Sequence, residues 1–397
     1  MAIECYFNNV GVPKKAHFWE EIYFGLTFEQ DPRPRCSLIL GDGFTQSFLA
    51  SQGLKDKIRL SLDCHFPPPD ELMYVPVKED RFEKSEIFDR NKWPNLYNFW
   101  EASNKLSGRS FYMSLPENRI NPHIEMEKLT YNTSSLGFEL RCYLWHFFRS
   151  QHYEFMSHKG SFDLNKWEWL EPFKIFLSEF ALGISSFNYD LLVEFLLEYY
   201  FRSLVIPHDL GKEDEYLRRP SDSIALYKLH GSISYYIETG MNVIGGYNAN
   251  PWLTGVNFSY NSIGNVNLGI NYKMDSFPEF PDIVPPGHYG DDKLNPRSTV
   301  LSLSKCHIEA SRLIVFCGLS AEEPDTDEIK GLVDKISMDA LVIHVGLECD
   351  RQNKLAQLLL ARGLKSTFLL PSDLSSISEV IGKEIPLYRN WSKSNKV

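Results

Sequence analysis

Four absences narrow what this chain can be. It has no basic excess, since 41 Lys and Arg stand against 52 Asp and Glu, a formal charge of −11. Binding a phosphate backbone needs clustered cations. Here Lys and Arg are scattered singly, so nucleic acid is disfavoured as a direct partner. Nor does any apolar run reach the ~20 residues that a bilayer span requires. The segment Met1–Asn9 carries Glu4 and no basic region leading into an apolar one, so no secretory leader and no membrane partner are expected. Paired cysteines are missing too. There are seven, at 5, 36, 64, 142, 306, 317 and 349, an odd number without a C-x-x-C. That pattern predicts reduced, buried thiols in a cytoplasmic protein, and neither a disulfide framework nor a bound metal. Finally, no internal repeat or low-complexity tract is visible.

What is present is globular. Hydrophobic residues make up 43% and charged residues 23%, enough apolar side chain for a sizeable core in a chain of 397 residues. Aromatics reach 14% and cluster at Tyr143, Trp145, Phe147 and Phe148, and at Trp167, Trp169 and Phe173. Short apolar runs that read as strands alternate with helical patterns: Cys36–Leu40, Leu182–Phe187, Ile224–Leu229, Leu313–Cys317, Ala340–Val345 and Ser366–Leu370. Such alternation predicts an α/β protein with a doubly wound, parallel, Rossmann-like sheet. Residues 36–60, 181–239 and 299–390 are assigned to that domain, behind an N-terminal extension 1–35. Residues 61–180 read as a mostly helical insertion, and 240–298, rich in Asn, Gly, Pro and Tyr, as an irregular one.

Four segments at the ends of these strands carry chemistry. In Gly41-Asp42-Gly43-Phe44-Thr45 the glycines allow close backbone approach to a ligand, and the helix start that follows favours a phosphate. Thr45 adds a hydroxyl that can cap the helix or meet a phosphate oxygen. In Phe187-Asn188-Tyr189-Asp190, Asn188 offers an amide that both donates and accepts, suited to orienting a ribose hydroxyl or a water. Asp190 can anchor Asn188 or the next helix. Leu229-His230-Gly231-Ser232 presents a histidine, the natural base near neutral pH. Gly318-Leu319-Ser320 is a second small-residue turn. Read alone, each also fits a structural role: a tight turn, a turn-forming Asn, an N-cap Asp, a satisfied histidine. The acidic run Glu322–Glu328 reads as a solvated helix cap.

Taken in order, these segments resemble the sirtuin superfamily over about half of the chain, chiefly 36–52, 182–236 and 311–346. The resemblance implies that Gly41, Asp42, Gly43, Phe44 and Thr45 match the loop holding the NAD phosphates, with Asp42 in place of the family's alanine. It implies that Asn188 and Asp190 belong to the catalytic centre at the nicotinamide ribose with His230 as the catalytic histidine, that Ser232 after it binds NAD, and that Gly318 and Ser320 contact the adenosine part. The four zinc-binding cysteines of the protein deacylases are missing, because the first cysteine after Ser232 is Cys306. Gln46–Gln52 also lacks the deacylases' proline and arginine. The long insertion before Asn188 is instead similar to the sirtuin-like NADases of bacterial antiviral defence. That likeness implies an NAD glycohydrolase without metal, acting as the toxic effector of an abortive-infection system. It also implies control by a phage signal or a companion protein within a homo- or hetero-oligomer. The alternative is a non-catalytic nucleotide sensor, which would keep the glycine turns without needing His230.

Overall fold

The computed structural model describes residues 33–60, 68–78, 81–103, 136–201, 205–207, 224–238, 257–260, 279–283, 296–319, 321 and 325–384. Most of the 1–35 extension and most of 240–298 lie outside the described residues, as does Ser320.

Seven strands form one parallel sheet: β1 (Arg35–Leu40), β4 (Ala181–Ser186), β5 (Val205–Pro207), β6 (Ile224–Lys228), β10 (Leu313–Cys317), β11 (Leu341–Val345) and β12 (Ser366–Leu369). Their spatial order is β12-β11-β10-β1-β4-β6-β5, and every neighbouring pair is parallel. Leu38 of β1 faces Val315 of β10 on one side and Ile184 of β4 on the other. The chain leaves β1 towards β4 and returns on its opposite flank at β10, so the strand order reverses at β1. Doubly wound sheets bind ligands outside the carboxyl ends of their strands at such a switch point.

Alternation along the strands builds two cores, because successive side chains point to opposite faces. Cys36, Leu38, Leu40, Val315 and Cys317 join one cluster with α1 (Asp42–Ser51), α4 (Leu170–Glu179) and α9 (Ile377–Glu384). Ile39, Ile314, Phe316 and Val342 join the other with α6 (Pro296–Ala310), α7 (Thr326–Val333) and α8 (Lys354–Ala361). Strand serines break the apolar pattern without cost because α6 and the residue after it satisfy them. Ser185 Oγ lies 2.7 Å from Ser304 Oγ, and Ser37 Oγ lies 2.8 Å from Ser311 Oγ. Burial pushes the thiols of Cys36 and Cys317 well up, the state of inert packed cysteines.

Two sequence expectations change here. Residues 61–180 are not uniformly helical. They hold an antiparallel hairpin, β2 (Met73–Lys78) with β3 (Arg81–Ser85), besides α2 (Pro94–Ser103) and α3 (Leu136–Ser157). Moreover, Trp167, Trp169 and Phe173 pack edge-on or tilted around Phe44 of α1, at ring centroids 5.5–5.6 Å apart. The stretch from Trp167 to Phe180 therefore belongs to the sheet's own core. Aromatic spacing marks a buried face but not the partner it faces, which is why the sequence assigned it elsewhere. Likewise 240–298 is not wholly irregular. β8 (Asn257–Tyr260) and β9 (Glu279–Ile283) flank β7 (Gly231–Glu238) in a three-stranded antiparallel sheet.

The aromatic clusters are buried: Tyr143, Trp145, Phe147, Phe148, Trp167, Trp169 and Phe173 all belong to the core. Among the described residues, no helix is long and apolar enough to cross a membrane.

Candidate functional site

The four segments singled out in the sequence all follow carboxyl ends of the parallel sheet: Gly41 after β1, Phe187 after β4, Leu229 after β6 and Gly318 after β10. Backbone pairing continues one step beyond the strands. Phe187 N–H donates to Leu40 O at 3.0 Å and Leu229 N–H to Ser186 O at 2.9 Å. The turns therefore start level with one another.

The two glycine turns pack directly together. Gly41 N–H donates to Cys317 O at 2.9 Å, and Gly43 N–H to Gly318 O at 3.2 Å. A Cβ on Gly43 would stand 2.6 Å from Gly318 Cα, and one on Gly41 would stand 2.5 Å from Gly318 O. Gly318 itself has φ +64, a left-handed conformation cheap only for glycine. These glycines thus serve the junction of β1 with β10. The amide of Gly43, expected to face a phosphate, is bonded to Gly318. Gly43→Val is accordingly expected to strain this junction rather than block a ligand path. The obstacle is backbone, so the loss should reach the upper part of the ~1–3 kcal/mol typical of overpacking. Chemical denaturation of the variant checks it; unchanged stability would contradict the packing of the two turns.

Three further expected ligand contacts point elsewhere. Phe44 is fully buried among Trp167, Trp169 and Phe173. Thr45 is also fully buried. Its hydroxyl donates to Asp190 Oδ2 at 3.0 Å and accepts from Asn188 Nδ2 at 3.0 Å. That hydroxyl ties α1 to the 187–190 turn instead of meeting a phosphate. Ser232, buried as well, donates to Tyr189 O at 3.5 Å, holding the same turn from the other side.

Asn188 is half-buried. Its Nδ2 bonds to Gly41 O at 2.9 Å as well as to Thr45. Both amide hydrogens are spent on protein, and Oδ1 makes no hydrogen bond to a described residue. The half-buried rim of the site is formed by Asp42, Gly43, Asn188 and Gly318. Asp190 lies beneath the turn with Oδ1 accepting from Leu192 N–H at 2.8 Å. Burial raises its carboxyl pKa, against the pull of Lys228, Leu192 N–H and Thr45. Asp190 is thus an anchor, as the sequence suggested.

Lys228 was missed in the sequence. It ends β6 with a side chain wholly out of solvent, donating to the main-chain oxygen of Asp190 and lying 3.4 Å from Glu194 Oε1. Glu194 follows in the short helix α5 (Leu192–Phe195). Burial pushes its pKa up to about 7, with Lys228 pulling the other way. His152 of α3 completes the layer. Burial, then Lys228, holds its pKa down at about 3, so it is neutral at physiological pH. Phe148 and Phe155 on the same helix face meet Tyr189 and Phe195 at 5.2 and 5.4 Å. A lysine in an apolar strand was the available signal.

His230 is 2% exposed. Phe187 packs edge-on against its ring at 5.0 Å and Tyr189 lies 6.1 Å away, so the two neighbours of Asn188 fix the imidazole. Its Nε2 lies 3.1 Å from Glu328 Oε2 and 3.9 Å from Asp325 Oδ1. Glu328, assigned in the sequence to a solvated acidic run, is 7% exposed. Asp325 and Glu328 stand three residues apart at the start of α7, so one turn of helix brings both to the same side. That spacing could have flagged them.

Among the described residues, no group of three or more His, Cys, Asp or Glu side chains could hold a metal ion. No family model matches the chain, and no curated protein matches it.

Proposed function

We propose that this protein is a sirtuin-like NAD glycohydrolase that cleaves NAD to nicotinamide and ADP-ribose. The observation that carries the reading is the placement of an amide, Asn188, and a carboxylate-paired histidine, His230, after the adjacent strands β4 and β6 beside the sheet's switch point. Either residue alone has a structural explanation. The pairing of a buried imidazole with a carboxylate favours an enzyme over a binding-only sensor, which would need the glycine turns alone.

The chemistry asks little of the protein. The bond between ribose C1′ and the pyridinium nitrogen breaks, and its electron pair leaves with the ring as neutral nicotinamide, so no general acid is needed. Positive charge builds on the ribose, water attacks C1′, and the proton it sheds goes to His230. Asn188, with its hydrogens fixed on Gly41 and Thr45, presents Oδ1 to a ribose hydroxyl or to that water. NAD enters as substrate, and no metal takes part.

In this reading the hairpin β2–β3 with α2 and α3 forms the insertion of a sirtuin-type catalytic domain. The protein works in the cytoplasm as an antiphage effector, held inactive until a companion protein or a phage signal releases it. The test is nicotinamide release from NAD by the purified full chain, with and without the products of its neighbouring genes. Release in either arm supports the proposal. Tight NAD binding with no release in both arms would favour the sensor.

A further inference from the structure

The geometry points to Glu328 as the positioning residue that sets the tautomer and basicity of His230. This rests on the glycohydrolase reading of the site. Glu328 Oε2 is 3.1 Å from His230 Nε2, and both side chains are 3% exposed or less. An ionised carboxylate only accepts hydrogen bonds, so its partner nitrogen carries the hydrogen. The imidazole is thereby held as the Nε2–H tautomer, with the basic lone pair on Nδ1. As Nδ1 takes the proton from water, the imidazolium that forms is stabilised by the carboxylate 3.1 Å away. Among the described residues, the other titratable groups shown facing the ring are Asp325 on α7, at 3.9 Å, and Tyr189 from the turn after β4. Asp325 is beyond hydrogen-bonding distance and partly exposed, so Glu328 carries the role.

The placement has a consequence for control. Glu328 enters from the first turn of α7, whereas Asn188 is carried by the turn after β4. Orientation of the base therefore depends on α7 staying docked at the end of β10, and a shift of that turn would switch off the base without touching Asn188.

Glu328→Gln keeps the volume and removes the charge. It is expected to lower kcat for nicotinamide release on the order of 10²-fold or more, with KM little changed. The acidic limb of the pH–rate profile should move about one to three units lower, because losing the carboxylate destabilises the imidazolium. Glu328→Asp, which keeps the charge, should recover part of kcat. Independently of turnover, nitrogen NMR of histidine-labelled full-length protein should show His230 as a single Nε2–H tautomer in the wild type and mixed in Glu328→Gln. A wild-type profile and an unchanged tautomer in a folded Glu328→Gln protein would overturn the assignment. If the wild type releases no nicotinamide under any condition, the glycohydrolase reading fails. The NMR comparison still decides whether Glu328 sets the tautomer.

Discussion

Replacing His230 or Asn188 by alanine is expected to abolish nicotinamide release. For His230→Ala the loss is that of a positioned base, about 10²–10⁴-fold. Asn188→Ala removes the amide that orients ribose and water, and also the tie from the 187–190 turn to Gly41 O and Thr45 Oγ1. The double variant should lose far less than the product of the single losses, since groups acting as one unit fail together. The two variants should differ in stability. His230 is 2% exposed and bonded to a buried carboxylate. Its removal takes this hydrogen bond from the buried Glu328, at about 1–3 kcal/mol for a buried polar group that loses a partner. Asn188 lies half in solvent, so its loss should cost less. Nicotinamide release under activating conditions, with chemical denaturation as the folding control, tests both. Full activity in a folded His230→Ala protein would remove the histidine from the mechanism and bring the sensor forward.

The largest stability effect is expected at Lys228. Its ammonium is wholly buried beside Glu194 and donates to the main-chain oxygen of Asp190. Lys228→Met keeps the apolar stem and deletes the charge, leaving two buried carboxyl groups without their cation. Breaking a buried pair in this way costs roughly 3–5 kcal/mol. The cost has a definite pH dependence. Burial already holds the Glu194 pKa near 7 against the downward pull of Lys228, and raises that of Asp190. Removing Lys228 raises both further. A carboxyl whose folded pKa is raised destabilises fully above that pKa and not at all below its unfolded value. The variant should therefore be least stable relative to the wild type near pH 9, and recover towards pH 5 as both groups take up protons. Denaturant titrations at the two pH values measure this directly. An equal loss at both would mean that the charge of Lys228 is not what the turn depends on. Because Lys228 holds Asp190 O, the same variant should also loosen the turn that carries Asn188.

How much of this was legible beforehand follows from the range of the interactions involved. The apolar runs Cys36–Leu40 and Leu313–Cys317, each closed by a glycine, determined by themselves that they would be buried parallel strands with turns at their carboxyl ends. A continuous apolar run and glycine's backbone freedom are properties of the local chain. The same locality made Asn188, His230 and Gly318 visible as strand-end residues, and Asp190 as an anchor. Tertiary structure alone decided which strands are neighbours, and hence that Gly43 meets Gly318 rather than a ligand. It decided that Thr45 and Ser232 turn inward onto the Asn188 turn, and that the Trp167–Phe173 aromatics close over Phe44. It also brought Glu328 to His230, 98 positions away, and Glu194 to Lys228. A charged side chain has no periodicity that announces burial. Whether it is solvated or paired depends on what the fold sets opposite it, and that partner is distant in sequence.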